Sequence, residues 1–125
     1  MATLLALSAA ASAALPASQE ISTATTHARM AGDAGDLTTA VMHFHHVINC
    51  LVGPKSKLLD ADVGNPCKDM GNGALNDVDS GSAQHAVLSR ALLLAEQALH
   101  AKDLAASQKF VARIATVLKS VSPTQ

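Results

Sequence analysis

Asp36-Leu37-Thr38-Thr39-Ala40-Val41-Met42-His43-Phe44-His45-His46-Val47-Ile48-Asn49-Cys50-Leu51-Val52 is the stretch on which the fold turns. Asp36 reads as a helix N-cap, and Gly53-Pro54 as the stop that follows. Leu37, Val41, Phe44, Ile48 and Leu51 recur at heptad spacing, the mark of a seam packed against other helices. The same stretch carries three of the chain's six histidines within four residues. At about 100° per residue, His43, His46 and Cys50 project roughly opposite to the seam. Met42 and Asn49 lie beside them, and His45 sits at the seam's edge.

Upstream, Ser18 to about Asp33 reads as a first helix. Ser18 is a suitable cap, and Ile21, Ala24, Ala28 and Ala31 recur at three- and four-residue spacing. The break at Gly32-Asp33-Ala34-Gly35 is short, so helices of about 18–33 and 36–52 form an antiparallel hairpin. Residues equidistant from that turn are level, which sets His27 beside Met42 and His43, with His46 one turn further on. His43 and His46 are an i, i+3 pair whose rings meet over one helical turn. The first helix turns His27 toward its own flank, near Ala31 and Glu20, and a small rotation of it brings His27, His43 and His46 together. Neutral imidazoles ligate zinc, copper and nickel, so the three form a candidate metal triad with Met42 next in line. Met70 adds a soft ligand suited to Cu(I), whereas Met30, level with His100, reads as core packing. The competing reading of the cluster is solvated or structural histidines without a ligand, each satisfying only a local hydrogen bond. His85 and His100, at opposite ends of the third helix, read as bystanders.

Downstream, Gly64-Asn65-Pro66, Gly71-Asn72-Gly73 and Asp77-Val78-Asp79-Ser80-Gly81 are turn formers, and residues 53–80 show no periodic segment. Leu88 stands where a calcium loop opened by Asp77 and Asp79 would need its Glu, which excludes an EF-hand. Two more helices follow at about 82–100 and 103–120, the latter capped by Asp103. Their stripes are Leu88, Leu92, Ala95, Leu99 and Leu104, Val111, Ile114, Leu118, Val121. The expected fold is all-α: a four-helix up-and-down bundle of two hairpins over residues 18–121, with a tail at 122–125.

Cys50 and Cys67 are the only cysteines. Joined, they tie the middle of the long loop to the end of the second helix; a metal–thiolate site is the competing use. Residues 1–17 are small and apolar without a charge, like the core of a secretory signal, with cleavage options near Ala11-Ser12-Ala13 and Leu15-Pro16-Ala17. The leader lacks the usual basic residue. It predicts a periplasmic or secreted protein with no membrane span in the mature chain, a compartment that favours the disulfide.

At 125 residues the chain makes one domain, and its 2% aromatic content suits closely packed Ala- and Leu-rich helices. The formal net charge of −1 gives no electrostatic reason to expect nucleic acid or an anionic membrane surface. No GxSxG, HExxH or phosphate loop occurs, and the carboxylates read as scattered on exposed faces, so no enzyme chemistry is expected. Absence of CxxCH excludes ordinary covalent haem, leaving a non-covalent haem with His or Met ligands as a third reading.

With a secretory leader, Ala-rich helices, and His27, His43, His46 and His100 spaced along them, the chain resembles the small periplasmic metal-binding helical bundles. It departs from them in having fewer, less regular histidines and a long disulfide-tied loop. The run His45 to Pro54, followed by Asn65-Pro66-Cys67 and Gly71-Asn72-Gly73, looks like a motif of its own. The resemblance and the histidines together imply a non-enzymatic metal binder, copper or zinc first. The alternative is a ligand-free structural or protein-interaction module of the cell envelope. Either is compatible with a homodimer.

Overall fold

A computed structural model describes residues 15–121. All regular structure among them is helical: α1 Leu15–Asp33, α2 Leu37–Val52, α3 Ala74–Asp77, α4 Ala83–Ala98 and α5 Leu104–Ser120, with a 3₁₀ turn at Ala61–Val63. Most of the expected leader and the tail at 122–125 lie outside the described residues. Within them, α1 starts three residues before the expected cap. Pro16 sits in its first turn, where a missing N–H costs nothing, and Ser18 is interior to the helix rather than its cap. The caps read for α2 and α5 hold. The Asp36 and Asp103 carboxylates accept from the backbone N–H of Thr39 and Ala106 at 2.8 and 2.7 Å. Ser82 is the cap of α4 and accepts from His85 N–H at 3.0 Å.

The core is built where the apolar periods meet. Ile21, Ala24, Ala28 and Ala31 of α1 are fully buried, as are Phe44, Val47 and Leu51 of α2, Leu88, Ala91 and Ala95 of α4, and Ile114 and Leu118 of α5. α1 packs against α2 and α5, and α4 packs against the same two helices. Phe44 is the bulkiest fully buried side chain, and truncating it to Ala costs on the order of 3–5 kcal/mol. Met30, expected in this core, is instead exposed, because it falls on the outer side of α1 between the buried Ala28 and Ala31.

The long connection is less formless than its composition suggests. It holds the 3₁₀ turn and the one-turn α3, the fifth helix beyond the four expected. The Cys50–Cys67 disulfide anchors its middle, with Cα atoms 5.1 Å apart. Gly53 and Gly73 bring its far end back onto the end of α2. Both have positive φ, and a Cβ on Gly53 would fall 1.9 Å from the Asn72 carbonyl oxygen. Only glycine permits that backbone contact.

Candidate metal centre

His27 comes from the middle of α1 and His43 and His46 from the middle of α2, level across the hairpin as the turn at Gly32–Gly35 requires. The structure brings all three together. The Nδ1 of His27 lies 3.1 Å from Nδ1 of His43 and 3.2 Å from Nδ1 of His46. The ring centroids stand 4.7 to 5.6 Å apart, so the rings fan outward from one point. His43 is buried and the other two are half-buried. The face opposite the heptad seam is therefore no solvated strip: α1 and the 60–67 segment cover it.

Hydrogen bonding selects the tautomer of one ring. Nε2 of His46 lies 2.7 Å from the carbonyl oxygen of Val63. A carbonyl only accepts, so Nε2 carries the proton and the Nδ1 of neutral His46 is a bare lone pair. His27 Nδ1 thus faces two nitrogens but can aim a proton at only one of them. Three bases converging on one point match the demand of a single electrophile. Neighbouring ligand nitrogens around a first-row ion at 2.0–2.1 Å stand about 3.0–3.4 Å apart, as His27 does from each of the other two, and all three ligand atoms lie within 4.8 Å of one another. Burial first, then the proximity of His46 and of His43, pushes His27 down to about 4. His43 is lowered for the same reasons, burial and then His46.

Asn49, fully buried one turn beyond His45 and His46, holds the covering segment. Its Nδ2 donates to the carbonyls of Asp60 and Gly64, both at 2.8 Å, and its Oδ1 accepts from Asp60 N–H at 2.9 Å. His45 points away from the triad, its Nδ1 3.5 Å from the Asp60 carboxylate. Met42 is half-buried on the same turn of α2 as His43. The sulfur of Met70 accepts from the Thr23 hydroxyl at 3.6 Å. His85 and His100 are outside the cluster.

One carboxylate departs from the expected exposed placement. Glu20 on α1 is fully buried beneath the Gly71–Gly73 bend. Its Oε1 accepts from Gly73 N–H at 2.8 Å, while Oε2 has no partner. Burial, reinforced by Asp77 against the opposing pull of the Gly73 hydrogen bond, raises it to about 7. The roles of Val63 and Glu20 have no sequence signal: one acts through a backbone carbonyl, and the other stands between Gln19 and Ile21 on an ordinary helix.

No protein-family model, no curated protein and no solved structure matches this chain. The His27–His43–His46 cluster could hold a metal ion, and it is the one such histidine, cysteine or acidic group among the described residues.

Proposed function

We propose that the protein is a non-enzymatic, exported helical bundle that binds one transition-metal ion, copper or zinc, through His27, His43 and His46. The observation that carries this reading is the convergence of three Nδ1 atoms while His46 gives its only ring proton to Val63. Without a ligand, a proton on His27 Nδ1 serves only one of the two nitrogens facing it; a bound cation satisfies all three. With all three ligands neutral, the site suits borderline and soft ions rather than magnesium or calcium, which want oxygen. Nitrogens this close leave no room for a porphyrin between them, which disfavours the haem reading. Met42, on the same turn of α2 as His43, is the candidate for a further ligand.

Export is part of the same reading. Both cysteines are consumed in one disulfide, as an oxidising compartment favours, and no described helix is long and apolar enough to cross a membrane. Pro16 and Ala17 already pack into the bundle, so cleavage after Ala13 keeps α1 whole where cleavage after Ala17 would shorten it. The packing of α1 and α4 each against both α2 and α5 supports the up-and-down order of the two hairpins. Elemental analysis of untagged protein from the exported fraction tests the function. About one copper or zinc per chain is expected, and a chain that neither retains nor takes up either ion would overturn it.

A further inference from the structure

We infer that Asn49 is the positioning residue of the metal centre: it clamps the segment whose Val63 carbonyl fixes the tautomer of His46. The inference rests on the reading of the triad as a metal site and adds to it a residue that touches no ligand atom.

The clamp follows from where the hydrogen bonds fall. The 3₁₀ turn Ala61–Val63 buries no side chain of its own, so apolar packing does little to hold it. Its hold comes instead from the two residues that bracket it. Asn49 reaches the N–H and carbonyl of Asp60 on one side and the carbonyl of Gly64 on the other. Both of its N–H groups and its oxygen are used, and the side chain is fully buried away from solvent. Val63, the residue before Gly64, is thereby held with its carbonyl 2.7 Å from His46 Nε2.

The consequence is chemical. A neutral imidazole has one proton and two nitrogens, and the hydrogen bond made by one nitrogen decides which of them can ligate. Remove the Val63 carbonyl and His46 is free to move its proton to Nδ1, where it blocks the metal. Asn49 and His46 lie three residues apart on one helix, so the groove that takes the clamp and the ring it orients share one rigid frame. The disulfide ties the same segment down at Cys67, one turn of α2 past His46 at Cys50. It constrains how far the segment strays; Asn49 sets where the carbonyl points.

The test pairs ring-nitrogen NMR with zinc titration on the full chain, disulfide intact, for wild type and Asn49→Ala. Wild-type His46 is expected as the Nε2–H tautomer, with that proton slow to exchange. In Asn49→Ala the tautomers mix, and zinc affinity falls about 10–100-fold, the usual loss when a partner behind a ligating histidine is removed. Finding wild-type His46 protonated at Nδ1 overturns the inference whether or not the variant folds. So does a folded Asn49→Ala that keeps both the tautomer and an affinity within about twofold of wild type. A tautomer that shifts as expected in a protein that never binds zinc leaves the clamp standing and removes the metal function.

Discussion

His46 donates its Nε2–H to the Val63 carbonyl at 2.7 Å, and its opposite nitrogen therefore faces His27 Nδ1 bare at 3.2 Å. That relationship makes the triad ready for a cation before one arrives. Near pH 6, three ordinary histidines would release about two protons for each ion bound. Here His27 is held down to about 4, so it is already neutral, and His43 is lowered in the same direction. Binding near that pH should therefore release fewer than about two protons. Calorimetric titration with zinc in buffers of different ionisation enthalpy measures the number directly. A release of two or more would show that burial does not keep these rings neutral.

Glu20 predicts an unusual slope of stability with pH. Its native value of about 7 lies above the ordinary 4.5, so the folded chain binds this proton more tightly than the unfolded one. No penalty exists below about 4.5; it grows as the pH rises and is complete above about 7, where it is on the order of 3 kcal/mol. Glu20→Gln, which keeps the shape and removes the charge, should therefore stabilise the fold at about pH 8 and do little at about pH 4.5. His27 contributes the opposite slope, since a lowered histidine destabilises the fold as the pH falls from about 6.5 toward 4. Urea unfolding of wild type and Glu20→Gln across this range checks both signs. An unchanged pH profile in the variant would place the carboxyl in water.

Two glycines should respond to alanine very differently. Gly53→Ala forces a Cβ onto the Asn72 carbonyl at a φ of 80°, and should cost more than about 3 kcal/mol. Gly35 has nothing within 4 Å of its Cβ position, so Gly35→Ala should be neutral or stabilising by up to about 1 kcal/mol. Thermal melts of the two variants separate these outcomes. Equal melting temperatures would mean that the Gly53–Gly73 contact is not formed.

The Cys50–Cys67 bond closes a separation of 17 residues, and Cys67→Ser should lower stability by about 2–4 kcal/mol. Alkylation of exported protein without prior reductant, read by intact mass, should find no free thiol. Two alkylated cysteines would remove the loop's covalent anchor from the account.

Much of this was legible in the sequence because it follows from periodicity, capping and counting. Asp36 and Gly53 bounded α2 to the residue, and two cysteines allow one pairing. Equal distances about a short turn set His27 level with His43, but the small rotation of α1 that aims His27 at the other two rings depends on packing and left no mark in the spacing. The placements that failed depend on tertiary environment. Ser18 looked like a cap because its side chain suits one, yet Pro16 extends the helix past it. Met30 is apolar but faces outward. Glu20 lies under a backbone bend that no composition rule signals. The Val63 carbonyl, which every residue type carries, leaves no trace in side-chain identity.

The central claim is that His27, His43 and His46 together hold one metal ion, and titration of the untagged protein with Zn(II) and Cu(II) tests it most directly. Wild type should bind one ion per chain. His43→Ala/His46→Ala, with unchanged helicity, should lose that binding. His45→Ala should keep it, because His45 faces Asp60 rather than the triad. Equal affinity in wild type and the double variant would contradict the account and reduce the cluster to three packed imidazoles.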